Sequence, residues 1–143
     1  MHDDASIIIA CEQVIRQFAV LNDRHDHDGL AALFTADGVF ARPSAPEVPV
    51  QGREAIVQSF RTRAPRTTCH LMLNTWVSVQ SPTLAHAHSK VLLYIAADTA
   101  TAPPWTAQSP ALLGSFDDVL VLEQGRWLFK QRLGALLMRI GTD

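Results

Sequence analysis

Near the start of the chain apolar side chains recur at intervals of three and four, at Ile8, Cys11, Ile15, Phe18 and Leu21. That period gathers them on one face of a helix, with Asp4 or Ser6 placed to cap its start. After Asn22-Asp23-Arg24-His25 a shorter helix is predicted, capped by Asp26 or Asp28, with Leu30, Leu33 and Phe34 turned inward. Thr35-Ala36-Asp37-Gly38 reads as a turn and Val39-Phe40-Ala41 as the start of a strand. Pro43 to Pro49 is a proline-rich loop. A third helix opens at Gly52-Arg53-Glu54, turns Ala55, Ile56 and Phe60 inward and ends before Pro65. Beyond it the period falls to two. His70–Val79, Ala85–Ala96, Leu113–Glu123 and Trp127–Met138 are predicted strands, and Gln124-Gly125 is a tight hairpin between the last two. Asp98 to Pro110 holds Pro103, Pro104 and Trp105 and reads as a loop. Three helices followed by long antiparallel strands predict an α+β fold with the helices laid across one face of a curved sheet.

Composition changes the picture in two ways. A chain of 143 residues points to one domain, residues 1–143, large enough to bury a core without a disulfide or metal staple. Charged residues make up only 18%, below the usual ~25%, which implies that some apolar surface is covered by a second subunit. Twelve Lys plus Arg against fourteen Asp plus Glu give a net charge of −2. The densest basic group, Arg53, Arg61, Arg63 and Arg66, is scattered among helix and loop residues and makes no stripe, so nucleic acid is not expected as a partner. The acidic start, Met1-His2-Asp3-Asp4, does not suit a secretory signal. Val91–Ala97, the longest clean apolar run, is too short to cross a bilayer. Cys11 and Cys69, with no CxxC, suit a reduced cytoplasmic protein away from membranes.

Five phrases, in this order, carry a resemblance. Leu21-Asn22-Asp23-Arg24-His25-Asp26 leads into Leu30-Ala31-Ala32-Leu33-Phe34-Thr35-Ala36-Asp37-Gly38. Gln51-Gly52-Arg53-Glu54-Ala55-Ile56, Cys69-His70-Leu71-Met72-Leu73-Asn74, Phe116-Asp117-Asp118-Val119-Leu120 and Gly125-Arg126-Trp127 follow. Together they resemble the nuclear transport factor 2-like superfamily, and within it the SnoaL-like group that includes scytalone dehydratase. The resemblance implies a cone-shaped α+β barrel, three N-terminal helices on a strongly curved, mostly antiparallel sheet. It further implies a blind pocket for a small hydrophobic ligand, a homodimer, and no cofactor.

It also implies the candidate chemistry. Scytalone dehydratase-like members face an aspartate and a histidine across the pocket, which maps onto Asp23 and His70. Proton removal beside a carbonyl needs a base with a pKa near ambient pH, and free histidine starts at about 6.5. A carboxylate on the other ring nitrogen fixes the tautomer and favours the protonated ring once it forms. Asn74, Met72 and Trp76 share strand parity with His70 and are expected beside it, Asn74 to hold a substrate oxygen and the other two as apolar wall. His86-Ala87-His88 places two imidazoles on one strand face; one of them, His88 by position, is expected to be a second pocket histidine. His25 and His27 straddle a helix start and diverge, so no metal site is expected. Asp118 and Arg132 resemble a recurring acid and arginine. They read as a cross-strand ion pair, or, for Asp118, as a substrate contact. Trp105 suits a lid or a partner contact. Two departures stand out: Asn22 replaces the tyrosine that precedes the aspartate in scytalone dehydratase, and Tyr94 is the only tyrosine. A lyase or isomerase of dehydratase or cyclase type is the expected activity. The alternative is a non-catalytic ligand carrier, or an accessory subunit like the small subunits of ring-hydroxylating dioxygenases.

Overall fold

The computed structural model describes residues 3–142. Helix α1 spans Asp4–Asp23, α2 His27–Ala31 and α3 Arg53–Arg61. The strands are β1 Phe34–Ala41, β2 Val50–Gln51, β3 Thr68–Ser81, β4 Leu84–Ile95, β5 Ala111–Glu123 and β6 Arg126–Ile140. They form one sheet in the order β2-β1-β6-β5-β4-β3. β1 runs parallel to β6 and every other pairing is antiparallel. The three helices pack on one face of this open, cone-like sheet, the expected α+β architecture.

Ile7, Cys11, Ile15, Phe18 and Ala19 are the buried residues of α1; Ile8 and Leu21, expected inward, are only partly covered. The N-cap is Asp3 rather than the expected Asp4 or Ser6, and its carboxylate accepts from the Ala5 amide. Asp26 caps α2 by accepting from Gly29 at 2.9 Å. All six phenylalanines, Phe18, Phe34, Phe40, Phe60, Phe116 and Phe129, are buried. They meet in one aromatic cluster where helices and sheet touch.

Two local expectations change. Thr35–Gly38 is not a free turn but an irregular part of β1. Between the pairs Phe34↔Phe129 and Val39↔Gln131 the strand bulges away from β6, and the Arg53 guanidinium ties the bulge down by donating to the Phe34 carbonyl at 2.6 Å. Val50–Gln51, expected as loop, pairs with β1 as a two-residue edge strand. The hairpin at Gln124-Gly125 forms as expected, both residues having positive φ (50° and 78°), the backbone of the tightest hairpin turns.

Candidate active site

The end of α1 delivers the first candidate residue. Arg24 closes the helix and His25 takes the left-handed conformation, φ 57°. Its amide donates to the Asn22 carbonyl and the Asp26 amide to the Leu21 carbonyl, a Schellman closure. The His25 ring then bonds the Arg66 carbonyl at 2.8 Å, tying the helix end to the segment before β3. Asp23, in the last turn, is thereby aimed at the start of that strand.

Asp23 accepts three hydrogen bonds there. Its Oδ1 receives the Thr68 hydroxyl at 2.9 Å and His70 Nδ1 at 2.6 Å, and its Oδ2 receives the His70 amide at 2.9 Å. An ionised carboxylate only accepts, so Nδ1 carries a proton, and in the neutral ring Nε2 then holds the lone pair. Both side chains are largely covered, at 26% and 17% exposure. His70 lines a cavity of about 320 Å³ between α1, α3 and the concave face of the sheet. Phe18, Phe40, Phe60, Met72, Val91 and Phe116 form its apolar wall. The arrangement is an oriented imidazole at the edge of an apolar chamber, the geometry that general-base chemistry requires.

Not every predicted residue reaches that chamber. Met72 does, but Asn74 and Trp76 stand on the outer face of the sheet, Trp76 at 76% exposure. Asn74 has φ 51° and sits in a bulge, where two residues of β3 (Asn74 and Thr75, between Leu73 and Trp76) face one of β4 (Ser89, between Lys90 and His88). The extra residue reverses the alternation of side chains. Thr68, His70 and Met72 face the helices before it; Thr75, Val77 and Val79 do so after it. His86 and His88 are also outward, because Ala85, Ala87 and Ser89 take the inner positions of β4. His88 bonds Asp117 at 2.8 Å on the exposed face rather than forming a second pocket histidine. Asp118 does not line the cavity. It is fully buried against Arg132 at 2.6 Å, the ion-pair alternative. Arg132 in turn lies over the Phe116 ring at 3.8 Å. Trp105 also lies away from the chamber, its indole N–H held by Ala100 of its own loop at 2.8 Å.

The two cysteines take different settings. Burial, then the charge of Asp118, pushes the Cys11 thiol up to about 12, so it is no nucleophile. Cys69 is exposed on the outer face of β3.

The chamber holds polar residues that the sequence reading did not place in the pocket. Asn22, His25, His27, Arg42, Arg61, Arg63, Arg66 and Thr68 all line it. Thr68 shares parity with His70 and was legible on that ground. Arg42 follows the strand expected at Val39–Ala41, and its position depends on contact with β6. A Cβ added to Gly134 would come within 2.6 Å of Pro43, so only glycine lets this part of the chain lie so close.

The SnoaL-like domain family matches residues 4–133. The chain is similar to a protein of Novosphingobium aromaticivorans provisionally assigned as a scytalone dehydratase. The two share 25% identity and a TM-score of 0.80 over 98% of this chain and 90% of the other. Two further structures show the same fold. A type 2 hexachlorocyclohexane dehydrochlorinase has 14% identity and a TM-score of 0.80, covering 98% and 91% of the two chains. ActVI-ORFA of Streptomyces coelicolor has 23% identity and a TM-score of 0.72, covering 92% and 97%. No curated protein matches the sequence.

Proposed function

Because the chain belongs to the SnoaL-like domain family, we propose that it is a cofactor-independent lyase or isomerase acting on a hydrophobic, oxygenated ring compound. One observation carries the reading: the Asp23 carboxylate holds His70 Nδ1 at 2.6 Å, and the ring it orients borders an apolar cavity. Similarity to a provisionally assigned scytalone dehydratase supports an elimination.

In that reaction His70 Nε2 takes a proton from the carbon beside a carbonyl. The electron pair released forms the new double bond as a group leaves the adjacent carbon. Where the leaving group is hydroxide, the imidazolium returns the proton to it and water departs. Asp23 stabilises the imidazolium between the two transfers, as an ionised partner 2.6 Å from Nδ1 does. In an isomerisation the proton returns to a different carbon. Thr68 and the His70 amide hold Asp23 still and keep the ring in one tautomer.

Asp23→Asn and His70→Ala are expected to keep the wild-type circular dichroism spectrum and to lose about 10²–10⁴-fold in kcat on cyclic β-hydroxyketones. Turnover at the wild-type rate in both variants would overturn the reading.

One observation favours the alternative, a non-catalytic binding or accessory protein. Tyr94 lies exposed on the outer face, and no tyrosine lines the cavity to assist a leaving group. That reading predicts ligand binding without turnover and a stable partner in pull-downs. We also propose a homodimer formed through the outer face of the sheet.

A further inference from the structure

The charges around the cavity are one-sided. Four arginines (Arg42, Arg61, Arg63 and Arg66) and three histidines (His25, His27 and His70) line it, and among the described residues no aspartate or glutamate does, Asp23 lying behind His70. The chain as a whole carries a net charge of −2, so this excess is local.

Three of the six arginines elsewhere in the fold are engaged by other groups. Arg16 pairs with Glu12, Arg132 with Asp118, and Arg53 with the Phe34 carbonyl. At the cavity Arg61 pairs with Asp28. Arg42, Arg63 and Arg66 have no carboxylate within ion-pair distance among the described residues. The Arg42 guanidinium stacks over Phe60, 5.3 Å from the ring centre, and donates only to the carbonyl and hydroxyl of Ser59.

Placing cations together without a counter-charge costs free energy. Burial, then Arg63 and Arg66, pushes Arg42 down to about 10, and burial, then Arg66, lowers Arg63. The three belong to two separate stretches, residue 42 after β1 and residues 63 and 66 in the segment between α3 and β3. That segment is docked by the His25 bond to the Arg66 carbonyl. A fold that draws like charges to one chamber mouth, against their repulsion, is built to receive an anion there.

We propose that the ligand of this cavity carries an anionic oxygen group, a carboxylate or a phosphate, received by Arg42, Arg63 and Arg66 while its apolar body faces Phe18, Met72 and Phe116. Guanidinium groups suit this because their planar forks bond oxyanions in pairs. The anion then acts as a handle. It orients the apolar body toward the His70 end of the chamber, and the arginines attract the ligand from solution. The inference rests on reading the cavity as the ligand site but not on any chemistry at Asp23 and His70.

Three probes with one shared body test it: 2-naphthoate, 2-naphthyl phosphate and neutral 2-naphthamide, titrated by calorimetry into the full chain. The anionic probes are expected to bind about tenfold or more tightly than the amide, as charge-assisted bonds do, and to weaken as salt rises. The better of the two anions identifies the group. Arg63→Gln/Arg66→Gln, both on exposed positions, should remove most of that preference and leave the amide unchanged. Arg42→Met should do the same from the half-buried side.

Equal affinity for all three probes, no binding of any of them, or equal losses for anion and amide in the variants would overturn the proposal. Asp23→Asn and His70→Ala keep the anion preference if the proposal holds. An enzyme without turnover but with this preference would sink the acid/base reading and leave the anion site standing.

Discussion

At Asn74 a single backbone angle decides which side chains reach the cavity. With φ at 51° the residue occupies the left-handed region, which glycine enters freely and asparagine better than most. Its side chain makes no hydrogen bond among the described residues, so its role there is conformational. Strand parity in the sequence correctly joined Met72 to His70, but it could not register an extra residue, and it therefore carried Asn74 and Trp76 to the wrong face. The only local signal was the asparagine itself. Asn74→Gly should leave stability unchanged or slightly raised. Asn74→Val, which forces a β-branched residue into the same angle, should cost about 1–3 kcal/mol. Urea unfolding monitored by tryptophan fluorescence measures the difference, and equal midpoints for the valine variant and wild type would remove the strained-bulge account. By contrast Asp23 and His70, separated along the chain, were paired from family phrases alone. Neither periodicity nor composition brings a helix end to a strand start; the Schellman turn at His25 does.

The β5–β6 hairpin was the most legible element, because its turn chemistry, its alternation and a cross-strand acid and arginine all agree. Asp118↔Arg132 is a paired register position, and both side chains are fully buried. Their energetics are less favourable than the short contact suggests. Burial moves the Asp118 carboxyl up, to about 6, against the opposing pull of Arg132, and burial lowers Arg132 against the pull of Asp118. Each partner is displaced toward its neutral form, so desolvation outweighs attraction. Asp118 Oδ1 and Arg132 Nε are also buried without a hydrogen bond in the described structure. Breaking the pair and replacing it should therefore have opposite consequences. Arg132→Met alone should destabilise by about 3–5 kcal/mol, since it strands a buried carboxylate. Asp118→Leu/Arg132→Met together should be neutral or stabilising by up to about 4 kcal/mol. Chemical unfolding of the single and double variants tests both signs. A double variant less stable than wild type would show that the pair is net favourable, through the stacking of Arg132 on Phe18, Phe116 and Phe129.

Over the whole molecule the sheet separates two environments. Its concave side carries the chamber, whose basic character was hidden in the sequence because Arg42 and the Arg61–Arg66 group meet only after folding. The convex side carries apolar side chains that the described residues leave partly or largely uncovered. Leu71, Leu92, Leu113 and Met138 are register partners across four strands, and Leu71, Leu73, Trp76, Tyr94 and Leu133 are exposed. The low charge content anticipated such a surface, though it could not say where it lies. A stable interface buries roughly 800 Å² per partner, an area that a four-strand face of long strands supplies. The homodimer proposed above would place a second copy there, because apolar rows on two identical sheets can face one another about a two-fold axis. Light scattering after gel filtration should give twice the chain mass. Leu71→Lys/Leu73→Lys, which places two charges on that face, should give the monomer while preserving naphthoate binding, because both residues stand opposite the cavity side of β3. A wild-type monomer at micromolar concentration, or a double variant that remains dimeric, would move the interface away from the sheet. Loss of naphthoate binding in a folded monomeric variant would instead mean that the chamber depends on the second subunit for its shape.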